Sequence, residues 1–137
     1  MRAMTRGVAL LLGGALAAGC VHHPRYRFPA AFAPPVGFVE EGVASWYGPG
    51  YHGNRTSSGE VYDQEALTAA HATFVFGTRV RVTLLSTRRS VVVRINDRGP
   101  FSADRIIDLS YAAAYKLGYV TAGSAKVEVE AILPGKV

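Results

Sequence analysis

The sequence contains a single cysteine, Cys20, among 137 residues. One cysteine forms no disulfide within a chain, so the fold must be stabilised by its apolar core alone. The apolar run at residues 7–18 is too short to span a bilayer, and no other stretch is long and apolar enough to do so. Charged residues make up only 18%, against 49% hydrophobic residues. These proportions argue against a disulfide-stabilised miniprotein and a multi-span membrane protein, and they indicate a globular domain.

The N-terminal residues have the pattern of an export signal. A basic segment with Arg2 and Arg6 precedes the apolar run, which ends in Leu-Ala-Ala-Gly followed by Cys20. This end resembles the lipobox of bacterial lipoproteins, whose cysteine is acylated after the signal is removed. We therefore expect a signal peptide over residues 1–19 and lipidation of Cys20. An ordinary signal peptide with an incidental cysteine is the alternative.

A lipid on Cys20 would attach the protein to a membrane without a spanning segment. Each acyl-chain methylene that is buried in the membrane contributes about 0.8 kcal/mol to this binding. Val21 stands where an aspartate would resemble an inner-membrane retention signal, so we expect outer-membrane sorting with the domain facing the periplasm. Residues 20–38 hold four prolines and no periodic apolar pattern, which predicts a lipidated tether. Cleavage removes two of the 15 basic residues and leaves 13 against 10 acidic ones. That mild excess favours a solvated surface over nucleic-acid binding.

Residues 39–134 have the pattern of one small, mainly β domain. Short strand-like segments are separated by turns, and one alanine-rich stretch predicts a helix. The predicted strands are residues 42–47, 80–85, 90–95, 106–107 and 126–133; the helix covers Leu109–Leu117, with Gly118 as C-cap and Asp108 or Ser110 as N-cap. Many short strands with one short helix favour a closed β-barrel, which leaves no free strand edge.

Two segments carry the polar residues of interest. The first, residues 42–71, contains Ala-Ser-Trp-Tyr-Gly, Gly-Glu-Val-Tyr-Asp and Thr-Ala-Ala-His; the second, residues 96–101, is Asn-Asp-Arg-Gly-Pro-Phe. These pieces, in this order, resemble the RlpA (rare lipoprotein A) family of septal lytic transglycosylases. The resemblance covers residues 41–133 and implies a six-stranded double-psi β-barrel with one or two short helices.

The resemblance also implies a site and an activity. Asp97 matches the proposed catalytic acid of the family. Glu60, Asp63 and His71 match the polar residues around it. The implied reaction is cleavage of the MurNAc–GlcNAc bond of peptidoglycan with formation of a 1,6-anhydro end, without cofactor or metal, in cell-wall remodelling and daughter-cell separation. We expect no counterpart to the C-terminal SPOR domain of the best-known members, so the resemblance does not extend to division-site targeting.

The implied chemistry uses one carboxyl group twice. Because the C6 hydroxyl of the sugar attacks instead of water, one carboxyl can protonate the leaving oxygen and then accept the hydroxyl proton. A hydrolytic glycosidase needs two carboxyl groups. A catalytic acid works best with a pKa near the working pH. We expect Glu60 and Asp63 to place like charge beside Asp97, and His71 to orient it or share its proton.

Further residues are candidates for substrate contact, and each has a structural alternative. Trp46 and Tyr47 can stack on sugar rings or belong to the core, and Arg98 can hold a carboxyl or acetamido group. Asp97 before Arg-Gly-Pro can be a turn residue that bonds its own backbone. His71 can be a structural histidine, and the two acidic residues of the first segment can be solvated. The four polar residues have metal-ligand types but no tight ligand motif.

A non-catalytic, expansin-like binding module is the rival hypothesis. Barrels of this shape also occur in expansins and endoglucanases, and a fold alone does not choose among them. A structural partner of other envelope proteins would require a large exposed apolar patch. The complete polar set favours an enzyme acting on peptidoglycan glycan strands. We expect this enzyme to be a monomer that is anchored to the membrane through Cys20 and has no nucleic-acid partner.

Overall fold

The computed structural model describes residues 30–135, which form six strands and one helix. The elements are β1 (Val39–Trp46), β2 (Thr68–His71), β3 (Arg79–Leu84), β4 (Ser90–Asp97), β5 (Ile107–Leu109), α1 (Tyr111–Leu117) and β6 (Ser124–Leu133). The signal peptide, Cys20 and the first part of the predicted tether lie outside these residues. Within residues 30–135, no helix has the length and apolarity needed to cross a membrane.

The six strands form a closed barrel in the order β1-β5-β2-β4-β3-β6. The pairs β1–β5 and β2–β4 are parallel, and the other four pairs are antiparallel. Parallel neighbours need long crossover connections, and residues 47–67 and 72–78 belong to such connections. The predicted six-stranded, mainly β barrel with a short helix is confirmed.

Three of the predicted strands alternate between residues that face the core and residues that face solvent. In β3, Val80 and Val82 are fully buried, whereas Arg79 and Arg81 face solvent. The same alternation continues in β4 and β6. β2 was not predicted, because all four of its residues are buried and it has no polar face to give a period of two.

Two caps set the bounds of α1. The side chain of Ser110 accepts a hydrogen bond from the N–H of Ala113, and Gly118 ends the helix with a φ of 89°. Glycine adopts this left-handed conformation without the strain that a Cβ atom brings. Of the two predicted N-caps, Ser110 is therefore the one that acts. Leu109, predicted as the first helical residue, belongs to β5 instead.

Residues 32–38 pack against the barrel, although the sequence assigns them to the tether. The N–H of Phe32 donates to the carbonyl of Thr73 at 2.8 Å, and the N–H of Val75 donates to the carbonyl of Phe32 at 3.0 Å. The rings of Phe32, Phe38 and Phe74 meet edge to face, with centroids 5.5–6.0 Å apart. The burial of these rings orders a segment that has no regular apolar period.

Candidate active site

Four neighbouring strands of the barrel wall each contribute one residue to a row of paired positions. Ser45 of β1 pairs with Asp108 of β5, and Asp108 pairs with Ala70 of β2. Ala70 in turn pairs with Asp97 of β4. Adjacent strands lie about 4.8 Å apart, so the Cα atoms of the two aspartates are separated by roughly 10 Å. Only the methyl group of Ala70 lies between them in this row.

A cavity of about 680 Å³ is lined by three residues of this row. It falls in the volume range of small-molecule sites, about 300–1,000 Å³. Its lining joins two carboxylates, four aromatic rings and three guanidinium groups: Asp97 and Asp108; Trp46, Tyr47, Tyr51 and Phe101; Arg55, Arg98 and Arg105. Of the seven side chains that the sequence places in the site, Asp97, Trp46, Tyr47 and Arg98 are brought together here.

Three donors hold the carboxylate of Asp97. The Tyr47 hydroxyl donates to Oδ2 at 2.6 Å, and the N–H groups of Ser57 and Arg98 donate to Oδ1 at 2.8 and 2.9 Å. Burial, followed by the hydrogen bond to Asp97, raises the pKa of Tyr47 well above its ordinary value, so the phenol stays protonated. Asp97 is therefore fixed in orientation at the cavity through both of its oxygens.

The second carboxylate of the cavity belongs to Asp108, which is held by Arg105 and Ser45. Nη1 of Arg105 donates to Oδ1 of Asp108 at 2.7 Å and to Oγ of Ser45 at 2.5 Å. The Ser45 hydroxyl donates to the same Oδ1 at 2.5 Å. The capping role considered for Asp108 is wrong, since Ser110 caps α1. Strand alternation was the available signal, because Asp108 stands between the buried residues Ile107 and Leu109.

Glu60 and Asp63 are not among the residues that line the cavity. Glu60 accepts hydrogen bonds from Arg94 at 2.6 Å and from Nδ2 of Asn96 at 2.9 Å, and these bonds lower the pKa of its carboxyl. Asp63 accepts the N–H of Glu65 at 2.9 Å. Glu60 thus fastens the loop after β1 to β4, and Asp63 stabilises a turn. Neither carboxylate therefore places like charge beside Asp97 in the described cavity lining. The catalytic roles of Glu60 and Asp63 stay predictions.

His71 is buried beside the site, with 4% of its surface exposed. Its Nδ1 accepts the N–H groups of Thr73 and Phe74, both at 3.1 Å, and its Nε2 lies 2.5 Å from Oε1 of Glu40. Because Nδ1 acts as an acceptor, we assign the ring proton to Nε2, which donates to Glu40. These contacts fit the structural alternative for His71, and its proton exchange with Asp97 stays a prediction.

Arg98 joins the turn after β4 to the segment after β2. Its Nη1 donates to the carbonyls of His71 at 3.2 Å and Phe74 at 2.6 Å, and its guanidinium lies 4.0 Å from the ring centroid of Phe76. Burial lowers the pKa of Arg98. The substrate contact stays a prediction for Arg98. Sequence reasoning missed Arg55 and Arg105 as further cations of the cavity.

Trp46 and Tyr47, at the end of β1, lie between the core and the cavity, and their contact with sugar rings stays a prediction. Trp46 and Tyr47 line the cavity, and both are partly buried. Nε1 of Trp46 donates to the carbonyl of Val120 at 3.2 Å, which fixes the indole ring. The ring centroid of Tyr47 lies 4.6 Å from that of Tyr62 and 5.8 Å from that of Tyr51. The cavity wall therefore contains a cluster of contacting aromatic rings.

Known proteins share both the sequence and the fold. The endolytic peptidoglycan transglycosylase RlpA of Vibrio cholerae is 56% identical over 102 residues, which are 74% of this chain and 39% of that protein. The Streptomyces papain inhibitor has a TM-score of 0.59 at 21% identity, covering 72% of this chain and 98% of the inhibitor. The apo expansin of Clavibacter michiganensis has a TM-score of 0.55 at 19% identity, and the match covers 70% of this chain and 51% of the expansin. At identities of 21% and 19%, these two structures show a common fold alone.

The profile of the family described as lytic transglycolase matches residues 39–129, which include all the strands except the end of β6. The chain spans about two fifths of the length of the first curated relatives it matches, 39% and 41%. Because the family profile covers more than half of its residues, this chain belongs to the lytic transglycolase family and has the double-psi β-barrel expected from its resemblance to RlpA.

Proposed function

We propose that this chain is a peptidoglycan lytic transglycosylase in which Asp97 serves as both acid and base. The observation that carries the proposal is the carboxylate of Asp97, held by the Tyr47 hydroxyl at the cavity of about 680 Å³. The relatives named endolytic peptidoglycan transglycosylase support the reaction class. The proposed biological role is cell-wall remodelling and daughter-cell separation.

The proposed reaction has two proton transfers at the same carboxyl group. Protonated Asp97 gives its proton to the glycosidic oxygen as the bond from C1 of MurNAc to that oxygen breaks. The resulting carboxylate then takes the proton of the MurNAc C6 hydroxyl while its oxygen bonds to C1. The products are a 1,6-anhydro end and a free hydroxyl on GlcNAc, and Asp97 regains its proton. Tyr47 and the Ser57 amide keep both carboxylate oxygens in place during the two transfers.

The other polar residues support this proposal from around the cavity. Arg105, held by Asp108, supplies a fixed cation at the opposite end of the strand row, suited to a substrate carboxyl or acetamido oxygen. Glu60 and His71 act as positioning residues. Glu60 holds the loop that donates the Ser57 amide, and His71 orders the segment that accepts from Arg98.

Product analysis tests the proposed activity. Purified sacculi and peptide-stripped glycan strands are digested with the protein, and the soluble fragments are identified by mass spectrometry. We expect 1,6-anhydromuramyl ends. Reducing ends without the anhydro bridge would identify a hydrolase. Binding without any product would favour the expansin-like alternative, for which the expansin fold gives a precedent.

We also propose where the protein works. Residues 1–19 act as a signal peptide, Cys20 is acylated, and the residues that follow tether the barrel to the outer membrane on its periplasmic side. The Leu-Ala-Ala-Gly-Cys pattern supports the lipid anchor. The closed barrel supports a monomer, because its six strands leave no sheet edge to pair with a second copy.

A further inference from the structure

A line of aromatic rings leads from the cavity across α1. The ring centroid of Trp46 lies 5.6 Å from that of Tyr111, and the ring of Tyr111 lies 6.1 Å from that of Tyr115. Trp46 is at the end of β1, and the two tyrosines are one helical turn apart on α1, so they share a face. We call these three residues the aromatic groove.

The groove is continuous with the cavity that holds Asp97. A second depression of about 380 Å³ is lined by Trp46 and Tyr47, which also line the cavity, and by Glu65 and Tyr111. A third depression of about 500 Å³ shares Glu65 and Tyr111 with the second and extends over Tyr115. A bound chain can therefore pass from Asp97 to the surface of α1 without leaving the aromatic wall.

The helix does not need the outermost ring for its own packing. Ala113, Ala114 and Leu117 form the buried face of α1, whereas Tyr115 is 68% exposed. Its ring is tilted by 35° against that of Tyr111 at a centroid distance of 6.1 Å, and most of its surface faces water. Contiguous exposed aromatic surface is typical of a binding site rather than of a solvated helix face.

The polar residues beside the groove indicate the chemistry of its occupant. Glu65 and Lys116 line the same depression as Tyr111 and Tyr115, and they supply one carboxylate acceptor and one ammonium donor. Flat aromatic faces with a few hydrogen-bonding groups at the rim fit sugar rings, which present C–H faces and carry hydroxyl and acetamido groups around their edge.

We infer that the aromatic groove binds further sugar residues of the glycan strand whose scissile bond lies at Asp97. This inference rests on the proposed function and extends it: the substrate is a strand long enough to fill the cavity and the groove together. Strand length then contributes to affinity through contacts that short fragments do not make.

Binding to glycans of two lengths tests the inference. Peptide-stripped peptidoglycan disaccharide and octasaccharide are titrated calorimetrically into Asp97→Asn protein, which removes turnover from the measurement. Adding Tyr115→Ala should weaken octasaccharide binding about 3- to 10-fold, the range expected for one lost aromatic contact, and leave disaccharide binding unchanged. Leu133→Ala is the matched control, since it removes an exposed apolar side chain outside the groove, 54% exposed.

The outcomes separate the groove from the reaction. Equal affinity of Tyr115→Ala and its parent for the octasaccharide, or an equal loss for both lengths, would overturn the inference. In protein with Asp97 intact, Tyr115→Ala should raise KM for long strands and leave kcat unchanged. If the octasaccharide binds more tightly than the disaccharide and the protein with Asp97 intact yields no anhydro product, the groove is supported and the proposed reaction is refuted.

Discussion

The hydroxyl of Tyr47 donates a 2.6 Å hydrogen bond to Oδ2 of Asp97. Tyr47 follows β1 and Asp97 ends β4, and β5 and β2 lie between these strands in the barrel. The strand pairing joins these two sides of the cavity only through β5 and β2. The hydrogen bond from Tyr47 to Asp97 connects them directly. The position of the proposed acid depends on this connection as well as on its own turn.

Tyr47→Phe tests this connection directly. The substitution keeps the ring in the aromatic wall and removes the donor to Asp97, so we expect kcat to fall by about 10- to 100-fold, as for a lost hydrogen bond to a charged group. KM should change little. The rate of anhydromuramyl product formation is the measurement. Tyr51→Phe removes a hydroxyl from the same cavity that is not among the described donors to Asp97, and it should retain the wild-type rate. Equal rates for both variants would refute the role of Tyr47.

Asp97→Asn should abolish most of the activity without unfolding the barrel. An amide keeps the shape of the side chain but provides no carboxyl proton to transfer, so we expect a loss of about 10²- to 10⁴-fold. Thermal unfolding monitored by circular dichroism checks the fold. Glu41→Gln makes the same carboxylate-to-amide change at an exposed residue of β1 and should remain active. Wild-type activity in Asp97→Asn would exclude Asp97 as the acid.

Glu60 should stabilise the fold in a pH-dependent way. Its hydrogen bonds to Arg94 and Asn96 lower its pKa below the ordinary value of 4.5 in the folded state. The folded state therefore binds fewer protons than the unfolded state in the acid range, so the stabilisation is present above pH 4.5 and is lost as the pH falls through the lowered pKa. Glu60→Gln should be less stable than wild type at pH 7, and the difference should close in acid.

Denaturant unfolding at several pH values measures this effect, and Arg94→Met supplies the control. In a double-mutant cycle, Glu60→Gln should have a smaller effect when Arg94 is already replaced, since the two side chains bond directly. A difference that is the same at every pH would show that this ion pair does not carry the stabilisation.

Cys20→Ser should prevent membrane attachment. The motivation is the Leu-Ala-Ala-Gly-Cys end of the apolar run. Serine has no sulfur to accept a lipid, so we expect an uncleaved precursor or a soluble periplasmic form. Metabolic labelling with a fatty-acid analogue measures the change. If Cys20→Ser is labelled as strongly as wild type, Cys20 is not the site of lipidation.

The elements predicted from the sequence are those with a local signal. β3 and β6 alternate between core and solvent, and Ser110 and Gly118 bound the helix with residues typical of caps. β2 has four buried residues, so its sequence carries no alternation from which a strand could be predicted. The packing of Phe32 onto Phe74 is likewise a contact between distant segments with no periodic signal.

The candidate site was predictable only as far as motifs identify residues. The family motif pointed to Asp97, and the structure places this residue at the cavity. The direction of a side chain depends on strand register, which no motif contains. His71 follows Ala70 on β2, yet Ala70 lines the cavity while His71 bonds Glu40. Asp108 was considered only as a helix cap, because its place in the site depends on pairing across three strands.

β1 and the residues just before it determine where an anchor would be joined to the barrel. Val39 begins this strand, and its last residues reach the cavity after eight residues, roughly 25 Å at about 3.3 Å per residue. Gly37, just before the strand, donates to the carbonyl of Ala131 near the end of β6, and Phe32 exchanges hydrogen bonds with the segment after β2. The carbonyls of His71 and Phe74 in that segment also accept from Arg98 of the cavity lining. An anchor at Cys20 would therefore be joined to the barrel through the segment that holds Arg98 at the cavity.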